Sequence, residues 1–496
     1  MLTAIHIENF KGFGPKSQRI QLAPITLLFG ANSAGKTSFF HALFYLREIF
    51  ETSRALPSQM SFFSDTIELG GFGNVVHNHD ISKLLRFRLD FSVDKIDSDS
   101  GISITPRFSD RRRAESKGNF YFGVSEISIE LTIAYHDSHR AFVKTFAVYF
   151  EDKRIVELDA SLNNVKGYWD IEVKFDFDNI ADTHVAPPDD QHSPWTTMYR
   201  FPGAIPRPQD PILSSCSYRG DRRVSDDEGE IEFARDIDEL LIASVELACK
   251  CLNDLLYIGP VRSIPSSEFS AQLRPARSRW SSGLAGWDSL HFVSSRELQL
   301  VNEWLGPGRL DTGFAIDQQQ PIPLSSISSI IPSSITPRLR LRPIVGNSEE
   351  YSPACLRVQD VGFGISQVVP VIAALLVAEQ NCVVIEQPEI HLHPRLQTVL
   401  GDLLIFSCVG EEKKRTIIET HSEHLILRIL RRIRESTEGE LPPGIDIVHP
   451  YDIAVNYFDQ IHGSTKVSEL RINDEGEFVD TWPKGFFDER IGELYG

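Results

Sequence analysis

The sequence predicts an α/β fold. A phosphate-loop head is divided between the two ends of the chain, with an antiparallel β-rich subdomain and a mixed α/β insertion between its parts. Three observations predict it. Gly30-Ala31-Asn32-Ser33-Ala34-Gly35-Lys36-Thr37 fits G-x-x-x-x-G-K-[ST] at every fixed position. Residues 85–93, 127–133 and 142–150 alternate apolar and polar side chains at a period of two. Near the other end, the short apolar runs 382–385 and 416–418 are each followed by a glutamate.

The elements follow in chain order. Residues 1–8 alternate as a strand, and Asn9-Phe10-Lys11-Gly12-Phe13 links them to a buried strand over 25–29. Gly30 and Gly35 permit backbone angles and a close approach that a Cβ would hinder. A helix from about 37 to 50 opens directly after the loop. That order aims backbone N–H groups of Asn32, Ser33, Ala34, Gly35 and Ser38, and a helix N-terminus, at one phosphate. Lys36 reaches the β- and γ-phosphates and the Thr37 hydroxyl ligates Mg²⁺, so the expected ligand is a nucleoside triphosphate.

Farther on, Leu85, Phe87, Leu89, Phe91 and Val93 share one face of the first alternating run, and the three runs predict an antiparallel sheet. Residues 185–225, rich in Pro, Asp and Ser and without periodicity, predict a long surface excursion. Helices are expected over 237–256 and 295–305, and a Ser/Pro-rich loop over 325–336. Residues 361–367 lead into an apolar helix at 368–378, with Ser366 as its expected N-cap and Gly364 beside it at a second anion site. Glu386, at a strand end, sits where a Walker B acid holds Mg²⁺. His421 closes the next strand, where it could contact a γ-phosphate. These divisions give head segments at 1–80 and 340–496 around a middle of 81–339.

The 496 residues suffice for two or three compact units. A net charge of −19, from 69 acidic against 50 basic residues, excludes a surface built throughout for nucleic acid. No run of about 18 apolar residues predicts a membrane span. The first residues lack the basic-then-apolar layout of a signal peptide. Cys216, Cys249, Cys251, Cys355, Cys382 and Cys408 form no C-x-x-C pair, and a reduced cytoplasmic protein is expected. Neither sustained heptads nor a repeat of 20–50 residues is present.

Phosphate loop, Ser helix, strand-end acid and strand-end His in this order resemble the ABC-type ATPases. More narrowly they resemble the bacterial branch that includes the overcoming-lysogenisation-defect nucleases and chromosome-maintenance and repair ATPases. The residues that carry the resemblance are Asn9–Phe13, Glu386-Gln387-Pro388-Glu389-Ile390-His391-Leu392-His393-Pro394, Glu419-Thr420-His421-Ser422-Glu423-His424 and Trp482-Pro483-Lys484-Gly485-Phe486-Phe487-Asp488. They lie within 1–80 and 340–496, with a scattered echo at Tyr257-Ile258-Gly259-Pro260-Val261-Arg262. The resemblance implies a head-to-tail homodimer that sandwiches two ATP molecules. Lys36 and Thr37 of one subunit would face Ser366 of the other, with His421 as the switch histidine and the 391–394 turn near the dimer seam. It also implies a role in anti-phage defence, acting on a separate effector such as a nuclease or toxin. A DNA repair clamp and a non-hydrolysing, ATP-locked scaffold are the alternatives.

Two departures bear on activity. The signature reads Gly-Phe-Gly-Ile-Ser-Gln, and Gln387 follows Glu386 where hydrolytic relatives carry a glutamate. An amide takes no proton from water, so slow turnover is expected unless Glu389 or another base substitutes. The strings His391-x-His393 and His421-x-x-His424 lack the H-E-x-x-H spacing of a zinc protease, and His77-Asn78-His79 is expected to be a polar loop. Basic islands at Arg111-Arg112-Arg113, at Arg274, Arg277 and Arg279, and at Arg428, Arg431 and Arg432 keep nucleic acid open as a partner. Solvated faces and ion pairs are the plainer reading of each. No Toprim Glu and Asp-x-Asp set is evident after His421, so a nuclease activity, if any, is expected in a partner.

Overall fold

A computed structural model describes residues 1–55, 69–92, 125–137, 140–163, 168–176, 195–199, 203–207, 212–213, 228–266, 269–319, 338–345, 350–351, 355–410 and 413–483. The chain opens with β1 (Leu2–Glu8), β2 (Gln18–Gln21), β3 (Ile25–Gly30) and helix α1 (Lys36–Thr52). Next come α2 (Phe72–Val75), β4 (Leu85–Ser92), β5 (Glu126–His136), β6 (Arg140–Phe150), β7 (Lys153–Asn163), β8 (Tyr168–Phe175) and β9 (Trp195–Tyr199). Helix α3 (Glu228–Asn253) leads to β10 (Leu255–Ile258), then α4 (Arg277–Ser281), α5 (Leu284–Leu290), α6 (Ser295–Leu305), β11 (Phe314–Gln319), β12 (Arg338–Val345) and β13 (Glu350–Tyr351). The last part holds α7 (Phe363–Leu376), β14 (Cys382–Glu386), α8 (Pro394–Cys408), β15 (Arg415–Glu419), α9 (Glu423–Glu438), β16 (Ile453–Ile461) and β17 (Ser464–Glu469).

Two large sheets organise the molecule. The antiparallel one has the order β2-β1-β4-β5-β6-β7-β8-β9. Its register sets Ile5, Leu89, Ile129, Val148, Val156 and Phe175 side by side, so period-two patterning becomes one apolar face. That face packs with α1 and α3 in a single core. The faces expected over 85–93, 127–133 and 142–150 are thus realised, apart from Val93, which lies outside the described residues.

The second sheet has the order β10-β14-β15-β3-β16-β17, parallel except for β17. One row across it, Ile258, Ile385, Ile418, Leu27 and Val455, faces the core shared with α5 to α9. The opposite face, through Tyr257, Val384 and Ile417, joins the core under α1 and α3. Burial on both sides is what a parallel sheet requires, and it explains why its strands read as continuous apolar runs.

Several expectations are corrected. The strand over 1–8 joins the β-rich sheet, and β10, from within 81–339, joins the phosphate-loop sheet, so neither sheet follows those segment bounds. The helix expected over 237–256 runs over Glu228–Asn253 instead. Leu255-Leu256-Tyr257-Ile258 only prolongs the apolar run and is a strand. The helix over 295–305 matches its bounds, closed by a capping box between Ser294 and Glu297. His77-Asn78-His79 is a 3₁₀ turn in which His77 is buried against the Lys11 carbonyl at 2.8 Å, not an open polar loop. The 325–336 loop, Arg111 to Arg113 and most of the 185–225 excursion lie outside the described residues.

Candidate nucleotide site

The parallel sheet brings the C-terminal ends of β3, β14 and β15 together, and the sequence-predicted residues sit there. Gly30 ends β3 at φ 141° and Gly35 precedes α1 at φ 112°, both in the region that favours glycine. Ala31, Asn32, Ser33 and Thr37 are exposed, so the loop and the first turn of α1 are open to a ligand. Lys36 is 3% exposed and donates from Nζ to the carbonyls of Gly30 at 2.8 Å and Ala31 at 2.9 Å. It also stands 3.6 Å from Glu419 Oε1.

Glu386 and Glu419 end adjacent strands and are direct register partners. Glu386 accepts a hydrogen bond from the Tyr257 hydroxyl at 2.7 Å. Burial pushes its carboxyl up to about 7, Glu419 adds to the rise, and the Tyr257 bond opposes it. Gln387 takes φ 46°, and its N–H donates to the Glu419 carbonyl at 2.8 Å. Arg262 holds the strand end from behind, donating to the carbonyls of Glu386 at 2.6 Å and Gln387 at 3.2 Å. Gln367 locks Arg262 by exchanging two hydrogen bonds with its backbone.

Glu389 is buried and accepts from the His421 N–H at 2.7 Å, which ties the turn after β14 to the turn after β15. Burial raises the carboxyls of Glu389 and Glu419 and lowers the imidazole of His421, with Lys36 lowering it further. Glu389 Oε2, Glu419 Oε2 and His421 Nε2 are buried with no hydrogen-bond partner among the described residues. Such orphans are costly unless a ligand satisfies them.

The Ser366 expectation fails on capping. Helix α7 begins at Phe363 with Gly362 as its N-cap, which leaves Ser366 one turn inside and 0% exposed. At its start Ile365 N–H already donates to the Gly362 carbonyl at 3.2 Å, which leaves the N–H groups of Phe363 and Gly364 outside the helical ladder. A Cβ on Gly364 would stand 3.0 Å from the His391 carbonyl, so this helix start abuts the 391–394 turn. His391 and His393 are exposed there, and His393 caps α8. Among the described residues no group of three or more His, Cys, Asp or Glu is arranged to hold a metal. Mg²⁺ keeps several waters and needs few protein ligands, so the exposed Thr37 and the Glu386 carboxylate are the groups that could hold it.

Three of the four arginines of α9 are in ion pairs. Arg432 meets Asp402 at 2.7 Å and Glu435 at 2.5 Å, Arg428 meets Asp402 at 3.2 Å, and Arg431 meets Glu435 at 2.6 Å. Arg279 forks onto the fully buried Asp288 at 2.6 and 2.7 Å. Sequence reasoning noted Glu419 only as the glutamate closing the 416–418 run and gave no role to Tyr257 or Arg262. The echo at 257–262 was the available signal for these two.

The family described as AAA ATPase domain matches residues 334–426, and that described as AAA domain matches residues 4–179. Both segments are thus similar to AAA ATPase domains. The matched segments bring in the phosphate loop from one side and the strand-end acids and His421 from the other. Residues 448–495 match a family described as a protein of unknown function, DUF3696. No curated protein matches the chain.

Among solved structures, the SMC head bound to the C-winged helix domain of ScpA is 11% identical, over 95% of this chain and 97% of that one, with a TM-score of 0.40. The SMC head domain from Thermotoga maritima is 9% identical, over 95% and 99%, with a TM-score of 0.37. The Smc head with an extended coiled coil bound to the C-terminal domain of ScpA, from Pyrococcus furiosus, is 12% identical over 100% and 98%, with a TM-score of 0.37. These likenesses are loose, and the ATPase head stands on its own sheet order and phosphate loop.

Proposed function

We propose that this chain binds ATP with Mg²⁺ at the loop 30–37 and hydrolyses it slowly, and that nucleotide-driven closure of a head-to-tail homodimer controls a separate effector. One observation supports the site above all. Three buried orphans, Glu389 Oε2, Glu419 Oε2 and His421 Nε2, gather at the strand ends beside Lys36. Lys36 would exchange its two loop carbonyls for phosphate oxygens, His421 Nε2 would meet the γ-phosphate, and Thr37 with Glu386 would hold Mg²⁺. Bound Mg²⁺ supplies positive charge against the β- and γ-phosphates.

Slow turnover follows from Gln387, whose amide cannot accept a proton; Glu389 and Glu419 are the carboxylates left to do so. The same Gln387 favours the second reading, an ATP-locked scaffold without turnover. Anti-phage defence, with a nuclease or toxin as the effector, rests on the family resemblance alone. The DNA-clamp reading is weakened by Arg428, Arg431 and Arg432 of α9, which are already paired.

Steady-state ATP hydrolysis by the purified chain, with Lys36→Ala as the blank, tests the reading. Losing one or two charge-assisted bonds to phosphate should weaken nucleotide binding roughly tenfold to hundredfold in that variant. Retained affinity in Lys36→Ala would refute the site. Tight Mg·ATP binding without turnover would select the scaffold.

A further inference from the structure

The segment that matches the family of unknown function reaches the phosphate loop directly. β16 lies beside β3, and Gly30 pairs with Phe458 so closely that a Cβ there would collide with the Phe458 carbonyl. The hairpin from β16 to β17 then turns at His462 and Gly463 and sends Thr465 between two N-terminal loops. Thr465 is 3% exposed. Its N–H donates to the Gly12 carbonyl at 2.7 Å, and its hydroxyl donates to the Ala34 carbonyl at 3.0 Å. A Cβ on Gly12 would come within 2.7 Å of Thr465 Oγ1, and one on Gly14 within 2.5 Å of Ser464 Oγ. A Cβ on Gly35 would collide with Thr465 as well. The glycines at both ends of the phosphate loop therefore admit this hairpin as well as any phosphate.

We propose that the β16–β17 hairpin braces the phosphate loop in its binding conformation, with Thr465 as the positioning residue, so that the 448–495 segment governs affinity for a nucleoside triphosphate. Residues 31–35 bridge from a strand to a helix, and the Ala34 carbonyl, fixed by Thr465, sets the plane of the peptide whose N–H belongs to Gly35. Without that bond the Ala34–Gly35 peptide can rotate and turn a phosphate donor away. Thr465 touches no ligand; it acts through Ala34. The inference rests on the reading of 30–37 as the nucleotide loop.

The test uses the full chain with Thr465→Val, which keeps the shape and removes the hydroxyl, and Thr465→Ser, which restores it. Binding of a fluorescent N-methylanthraniloyl derivative of ATP with Mg²⁺ should weaken about fivefold in Thr465→Val, the effect of one ordinary hydrogen bond, and return to within about twofold in Thr465→Ser. Hydrogen exchange without nucleotide should quicken over residues 30–37 in Thr465→Val while β14 and β15 keep their protection. Unchanged affinity and unchanged exchange in Thr465→Val would overturn the brace, as would an equal defect in Thr465→Ser. If the wild-type chain bound no nucleotide, the site reading would fall, and the exchange measurement would still decide whether Thr465 holds the loop.

Discussion

Lys36 and Glu419 form a buried ion pair 3.6 Å apart, one opening the helix after the phosphate loop and the other ending the neighbouring strand. Burial lowers the Lys36 ammonium and raises the Glu419 carboxyl, and each opposes the other's shift. A phosphate must compete with Glu419 for the same ammonium. Replacing Glu419 with Gln removes the competitor and one negative charge from the site. Mg·ATP affinity should rise several-fold while the nucleotide-free chain melts at a lower temperature, because its buried lysine loses a counter-charge. Calorimetric titration and a thermal melt measure both, and weaker binding in Glu419→Gln would contradict this account.

Gln387 follows β14 with its N–H held by the Glu419 carbonyl, and glutamate is isosteric with glutamine, so the acid is accommodated there without moving the strand. Gln387→Glu should raise hydrolysis by about 100-fold, the low end of what a positioned general base contributes. Nucleotide affinity should change far less. A phosphate-release assay gives the answer, and an unchanged rate would mean that Gln387 is not what limits turnover.

Glu386 supplies a pH dependence with a definite sign. Its folded carboxyl is raised to about 7, so its protonated form favours the folded state. That stabilisation is complete below the ordinary carboxyl range and is lost as pH rises through about 7. Glu386→Gln mimics the neutral acid at every pH. In thermal melts without nucleotide the variant should match the wild type near pH 5 and exceed it at pH 8. A gap that does not change with pH would show that Glu386 is not the responsible group.

Arg432 lies at the centre of the network with Asp402 and Glu435, both largely buried. Removing one partner strands the others, so Arg432→Ala should cost roughly 3–5 kcal/mol in urea denaturation. A surface arginine kept for nucleic acid would cost far less. A loss below about 1 kcal/mol would return this helix to the candidates for an exposed basic face.

What could be read in the sequence was local. The phosphate loop needs fixed residue types at fixed spacing, the alternating runs need period two, and both appear in the structure where they were expected. The membership of β1 and β10 was hidden, because an apolar strand does not declare which sheet will pair with it. Ser366 was misread for a physical reason: Phe363-Gly364-Ile365 has no strong stop signal, so the helix starts a turn earlier than its apolar run suggests. Arg262 meets Glu386 and Gln387 across more than a hundred residues, and no local pattern announces such a contact.

The order of the parallel sheet has a consequence for how the protein is made. β3, which delivers the phosphate loop, pairs with β15 and β16, from residues 415–419 and 453–461. On the ribosome β3 emerges before residues 415–461 are made, at about 5–20 residues per second, and until then neither neighbour exists. Until then its backbone N–H and C=O groups have only water or a chaperone to bind. A nascent chain stopped before residue 415 would carry every residue of the phosphate loop and still have no strand on either side to hold it. The phosphate loop therefore gains its flanking strands only after residues 415–461 have been made.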